Sequence, residues 1–257
     1  MSHNNPSMAP SHVRPVIQET LTGKSLHFSS QDVQSRMHIL KPDELQFEYT
    51  RIMMGFLLHN PAPARVAMIG LGGGSLAKFC YRYLAESRIT VVEINPHVMA
   101  HRDTFAVPAD DHRFRVHLAD GAQFLRETDE TYDVLLADGF DIDGLPPELS
   151  SPQFYDDCYR ALNANGVFVA NLHGGDLLFD VITDRIQAGF HGSVLTVNDP
   201  GASNRLVFAV KGDAQALTRL AGVRRPDGFD PAAWKDLMPS LARVFLASRA
   251  LGRGGAA

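Results

Sequence analysis

From Arg65 onward, short apolar runs alternate with amphipathic stretches, and this repeat constrains the fold more than any other feature of the chain. Arg65–Leu71 reads RVAMIGL, with no polar alternation, as expected for a strand buried on both faces of a sheet. Further strands are predicted at Ile89–Ile94, Phe114–Leu118, Tyr132–Ala137 and Gly166–Leu172. Between them the spacing predicts helices over Ser75–Glu86, Pro96–Phe105, a short stretch from Ala122, and Pro152–Leu162. Leu177–Gly189 is helical, and Val194–Asn198 and Leu206–Val210 read as a closing strand pair. This alternation predicts an α/β fold whose mainly parallel sheet carries helices on both faces.

Before the repeat, Val16–Thr20, Ser25–Ser29 and Val33–Leu40 look like short strands, with a turn at Thr22-Gly23-Lys24. Pro42-Asp43 opens a helical stretch that ends near Pro61, and Leu45, Tyr49, Ile52, Met53 and Phe56 form an apolar stripe read as core. The expected organisation is a β extension over 13–41, a central domain over 42–212 and a mostly helical tail over 213–257. The apolar part of that tail, around Leu237–Leu251, is a candidate dimer surface.

Composition narrows the class. The formal charge of −5 argues against nucleic-acid binding, which uses clustered cationic side chains. Cys80 and Cys158 form no CxxC pair, so a reducing, cytoplasmic setting is expected, with Cys80 a buried core thiol. No apolar run reaches membrane-spanning length, and no leader is visible at the start. His97 and His101 share a predicted helix face but lack the HExxH glutamate, so no metal site is expected.

Ligands of open α/β sheets bind beyond the carboxyl ends of the strands, so those positions carry the functional reading. The first central strand ends in Gly70-Leu71-Gly72-Gly73-Gly74-Ser75 and opens a helix. A dinucleotide fingerprint needs glycine at 75, which is serine; the G-x-G-x-G pattern instead resembles the nucleoside loop of S-adenosylmethionine-dependent methyltransferases. Glu93, 23 residues after Gly70, is placed to accept from ribose hydroxyls. Asp120-Gly121 follows the third strand, where a carboxylate suits either an adenine amine or a helix cap. Asp138, Asp141 and Asp143 crowd one loop, which favours a cationic ligand between them.

Taken in chain order, these residues resemble the spermidine synthase (polyamine aminopropyltransferase) family, most specifically in Tyr132-Asp133-Val134-Leu135-Leu136-Ala137-Asp138-Gly139-Phe140-Asp141 and in Phe154-Tyr155. The resemblance implies a Rossmann-like, class I methyltransferase fold. It implies a nucleoside site built from Gly70, Gly72, Gly73, Gly74, Glu93, Asp120, Gly121 and Gln34. Asp138 would be the catalytic base, with Asp141, Glu48 and Tyr155 holding the amine substrate. The donor would be decarboxylated S-adenosylmethionine or S-adenosylmethionine itself, the acceptor a diamine or polyamine, and the assembly a homodimer. Departures are also visible. Gly73 stands where the family loop GGGDG carries its aspartate, and Phe47-Glu48-Tyr49 stands at the YHE or YQE segment. The lead expectation is therefore aminopropyl transfer with release of methylthioadenosine. An S-adenosylmethionine-dependent methyltransferase and a non-catalytic nucleoside- or polyamine-binding protein are the alternatives.

Overall fold

The structure is a computed structural model and describes residues 12–29, 33–140, 144–192, 194–201, 203–213, 215–220 and 222–254 of the 257-residue chain. Three strands, β1 (Val16–Glu19), β2 (Gly23–His27) and β3 (Val33–His38), form a small antiparallel sheet in that order. Thr20 closes the first hairpin: its hydroxyl donates to the Gly23 carbonyl and accepts from the Gly23 N–H. In β3, Ser35 and Met37 are buried while Arg36 between them is exposed, so alternate side chains turn toward the rest of the molecule.

The first helix, α1 (Glu48–Met53), starts later than the stripe predicted and tightens into a 3-10 turn over Met54–Leu58. Residues before it are held in turns, Lys41 bridging His38 and the Glu44 N–H donating to the Lys41 carbonyl. Leu45 is thus buried from a loop, whereas Ile52, Met53 and Phe56 are buried from the helical segment.

The central repeat is β4 (Arg65–Ile69), α2 (Ser75–Tyr83), β5 (Arg88–Glu93), α3 (Pro96–Met99), β6 (Phe114–Leu118), α4 (Gly121–Glu127), β7 (Tyr132–Ala137), α5 (Pro152–Ala161), β8 (Leu162–His173), α6 (Phe179–Gly189), β9 (Leu195–Asn198) and β10 (Asn204–Val210). The strands form one sheet in the order β6-β5-β4-β7-β8-β10-β9. Its β6-to-β8 part is parallel, and β10 runs antiparallel to both β8 and β9.

The apolar runs have a simple origin. Val66, Met68, Val134 and Leu136 enter the core on one face of the sheet, and Ala67, Ile69, Leu135 and Ala137 enter the core on the other. The first core is completed by α1, α2 and a last helix, α7 (Pro231–Gly254); the second by α4, α5 and α6. Burying a Val, Leu or Ile side chain contributes about 1.5–3 kcal/mol, and neither face of β4 or β7 is left to solvent.

Two elements differ from expectation. α3 is only one turn long, with Asn95 accepting from the His97 N–H at its start, and the chain then runs in turns to 106. Among the described residues the tail has only a 3-10 turn at Ala216–Thr218 before α7, which Asp230 caps by accepting from the Ala232 and Ala233 N–H groups. The apolar face of α7, expected as a dimer surface, buries Leu237, Leu241 and Val244 in the chain's own core. No helix among the described residues is long and apolar enough to cross a membrane. Cys80 and Cys158 are both free and buried.

Candidate active site

The chain leaves β4 toward β5 on one side of the sheet and later returns to β7 on the other, so the strand order reverses between β4 and β7. That is the point where the carboxyl ends of parallel strands leave a crevice for ligand. Glu93 and Asp138 end up on its two sides, with the glycine loop between them.

Gly70 sits at the narrowest point. The Asp138 N–H donates to the Ile69 carbonyl, and the Gly70 N–H donates to Val92. Gly70 has φ +95°, and a Cβ there would run into the backbone carbonyl of Asp138. Only glycine fits this conformation and this approach. The loop then turns through Gly72 and Gly74 into α2, and Gly74 occupies the N-cap position without a side-chain cap. Gly73 is a site of close packing: a Cβ would lie 2.5 Å from Ser35 Oγ and 2.9 Å from Phe105 Cδ1.

Glu93 is 7% exposed at the end of β5. Its Oε2 accepts from the Leu71 N–H at 2.9 Å and its Oε1 from the Asn95 N–H at 2.8 Å. Burial pushes its pKa above the usual carboxylate value, against the pull of those backbone donors. The carboxylate is thereby locked beside the loop, with the Gly72 and Ile94 N–H groups also drawing on it. Asp120 is half-buried and caps α4, its Oδ1 accepting from the Gln123 N–H at 2.9 Å, while Gly121 opens that helix against Ile69. Ile94 and Leu118 stand exposed just beyond β5 and at the end of β6, although both are large and apolar.

Asp138 is held by side chains from two other elements. Its Oδ1 accepts from Asn171 Nδ2 of β8 at 2.8 Å, and its Oδ2 accepts from the Tyr49 hydroxyl of α1 at 3.2 Å. Burial raises its pKa, and the Asn171 and Tyr49 hydrogen bonds oppose the rise. Tyr49 is raised well above its ordinary value by burial, then by the charge and hydrogen bond of Asp138, so the phenol keeps its proton. Phe47 stacks on the Tyr49 ring with centroids 5.8 Å apart. A carboxylate with a raised pKa, fixed at a cleft between two neutral donors, is suited to taking a proton.

Known proteins can be set against this geometry. The profile of the spermine/spermidine synthase domain matches residues 46–180. A polyamine aminopropyltransferase of Neisseria meningitidis serogroup A is 39% identical over 188 residues, covering 72% of each chain. The chain belongs to the spermine/spermidine synthase family. Its fold is shared with a probable spermidine synthase from Corynebacterium glutamicum, at TM-score 0.67 and 19% identity over 77% of each chain. It is also shared with human methyltransferase-like protein 13, solved with SAH, at TM-score 0.60 and 23% identity, covering 78% of this chain and 93% of that one. The matched region contains the glycine loop, Glu93, Asp120 and Asp138 of this family member.

Of the three expected amine contacts, Glu48 and Tyr155 have partners elsewhere in the structure. Glu48 turns away from Asp138, its Oε1 accepting from Ser240 of α7 at 2.7 Å and its Oε2 pairing with Arg51 at 3.2 Å. Tyr155 is 1% exposed and packs edge-on against Phe154 and Phe168, which puts it in the core instead of on a cleft wall. Asp141 lies outside the described residues. In β3 it is Ser35 that meets the glycine loop; Gln34 is half-buried beside it, as the extra residue where the β2–β3 register shifts.

Sequence reasoning missed two of the residues around Asp138. Tyr49 falls on the apolar stripe of α1, where its polar tip is the one signal of a partner. Asn171 ends an otherwise apolar stretch of β8, and a buried amide there requires a polar partner.

Proposed function

We propose that this protein moves an aminopropyl group from decarboxylated S-adenosylmethionine to a primary amine and releases methylthioadenosine. Asp138 carries the reading: it is a half-buried carboxylate with raised pKa at the strand-order reversal, held by Asn171 and Tyr49 across the loop from Glu93. Glu93 would bind the ribose hydroxyls, Asp120 and the Ile94–Leu118 surface the adenine, and the loop from Gly70 to Gly74 the 5′ side of the nucleoside. The acceptor arrives as an ammonium with a pKa near that of Lys, about 10, and has no lone pair until it loses a proton. Asp138 takes that proton. The amine nitrogen then attacks the methylene beside the sulfonium, the new C–N bond forms as the C–S bond breaks, and the sulfur keeps the electron pair as neutral methylthioadenosine. Alignment of nitrogen and carbon supplies much of the acceleration.

The acceptor would be a diamine or polyamine, with Asp141 a further partner for its distal charge. Free, buried cysteines support a reducing, cytoplasmic setting. A homodimer remains part of the proposal, with the exposed Val16, Leu21 and Leu40 of the β extension a better contact surface than α7; light scattering tests it. Methyl transfer from S-adenosylmethionine is the second reading, favoured by the lack of a loop carboxylate at Gly73. Incubation of the purified chain with each donor and a diamine panel separates them. Methylthioadenosine together with an aminopropylated amine supports the first reading, and S-adenosylhomocysteine together with a methylated product supports the second.

A further inference from the structure

Ser240 lies on the buried face of α7, 1% exposed, and shares that face with Leu237, Leu241 and Val244. A serine inside a helix commonly bonds back to a carbonyl of its own preceding turn. Ser240 instead reaches across to α1, where its Oγ donates to Glu48 Oε1 at 2.7 Å. Glu48 is the first residue of α1, whose N-cap, Phe47, makes no side-chain hydrogen bond to the helix. The other oxygen of the same carboxylate pairs with Arg51 at 3.2 Å, so both oxygens are engaged in fixing this turn. Farther along, a Cβ at Gly55 would stand 2.9 Å from Val244 Cγ2, so α7 also lies close against the 3-10 turn that follows α1.

The inference drawn from this contact rests on the proposed role of Asp138 as the base. Tyr49 follows Glu48 directly, and its hydroxyl is the α1 group that reaches Asp138. Among the described residues, the other group that bears on that carboxyl is Asn171 of β8. The two bonds differ in tolerance. Asn171 reaches Asp138 at 2.8 Å, whereas Tyr49 reaches it at 3.2 Å. That is already past the usual O–H···O range of about 2.5–3.0 Å. A displacement of a few tenths of an ångström in the first turn of α1 therefore decides whether Asp138 keeps its phenol donor. We infer that Ser240 is a positioning residue for the reaction: by holding Glu48 it sets the first turn of α1, and through Tyr49 it sets one of the two hydrogen bonds on Asp138. The C-terminal helix, which lies outside the 46–180 region matched by the family profile, thereby takes part in setting up the base.

The test is the pH dependence of methylthioadenosine release by the full chain. Ser240→Ala is expected to displace the acid limb to higher pH, the direction expected of Tyr49→Phe, and to lower kcat/KM on the limb at least threefold. Ser248→Ala is the control: Ser248 is fully buried on the same helix, but its hydroxyl donates to the Leu217 carbonyl and not to α1. It is expected to lower stability and leave the limb in place. Glu48→Gln keeps an oxygen for the Ser240 hydroxyl and is also expected to leave the limb in place. Combining Ser240→Ala with Tyr49→Phe should move the limb no further than Tyr49→Phe alone, since both act through one bond. A limb that stays in place in Ser240→Ala overturns the inference. So does an equal displacement by Ser248→Ala, or a double variant whose displacement is the sum of the two single ones. Each of these leaves the base reading standing as long as Tyr49→Phe moves the limb. If Tyr49→Phe does not move it, or the wild-type chain is inactive, that reading falls and the inference with it. Should Ser240→Ala not fold, Glu48→Ala breaks the same bond from the α1 side and decides by the same criteria.

Discussion

Replacing Tyr49 by Phe keeps the ring that stacks on Phe47 and removes only the hydroxyl that donates to Asp138. A hydrogen bond to a charged group is worth about 1.5–3 kcal/mol. At 3.2 Å the Tyr49–Asp138 bond is long, so the lower end of that range applies. The bond stabilises the ionised carboxylate and opposes the upward pull of burial, so its loss raises the Asp138 pKa further. Asp138 has to be ionised to accept the amine proton. On the acid side of the pH–rate profile the active fraction falls in proportion to that loss of stabilisation, and about 1.4 kcal/mol corresponds to a tenfold drop in rate. The expected result is an acid limb displaced to higher pH, with kcat/KM down about tenfold at any fixed pH on the limb. At high pH the rate returns to within about threefold of wild type, because Asn171 still holds the other oxygen at 2.8 Å. The assay is methylthioadenosine release at saturating donor over a series of pH values. An acid limb that stays in place or moves to lower pH would refute the role given to Tyr49, and with it the view of Asp138 as a base tuned by its two donors.

The same raised pKa has a consequence for stability. The native state holds the Asp138 proton more tightly than the unfolded chain does, so this group's contribution is intact below the ordinary carboxylate pKa and is lost as pH rises through the raised native value. Asp138→Asn is therefore expected to melt at a temperature that gains on wild type as pH rises from 4 to 8, and a steadily widening deficit in differential scanning calorimetry would contradict this. Glu93→Gln leaves one acceptor oxygen among backbone donors that include the Leu71 and Asn95 N–H groups. The unmatched N–H should cost about 1–3 kcal/mol in urea unfolding and weaken methylthioadenosine binding, and unchanged stability would show that Glu93 is not locked as described. Glu48→Gln should leave KM for the amine within twofold, since Glu48 bonds Ser240 and Arg51; a tenfold rise in KM would return Glu48 to the acceptor site.

The sheet was legible because its strands are buried on both faces. β4 from Val66 and β7 from Val134 therefore appear as apolar runs, and the carboxylates at strand ends, Glu93 closing β5 and Asp138 just after β7, mark the crevice directly. What sequence could not show is what approaches those residues from far along the chain. Tyr49 lies 89 residues from Asp138 and Asn171 lies 33 away, so neither partner follows from local spacing. The 3.6-residue period that correctly buried Ile52 and Met53 also absorbed Tyr49 into the core, because periodicity reports a face and not what the tip of a side chain meets. In β3 the register shifts at Gln34, so alternation along this short strand does not foretell that Ser35 meets the loop. The α7 stripe was visible as apolar, but its partner, the core beside α1 and β9, is contributed by distant segments.

The most direct test of the account follows methylthioadenosine and aminopropylated amine together. Wild-type chain and Asp138→Asn are each incubated with decarboxylated S-adenosylmethionine and a diamine at a pH on the plateau. The account predicts equal amounts of the two products from the wild-type chain. It also predicts a rate at least a hundredfold lower from Asp138→Asn, with its methylthioadenosine affinity within threefold of wild type. Undiminished product formation by Asp138→Asn, or a wild-type chain that binds the nucleoside and aminopropylates no amine, would contradict it.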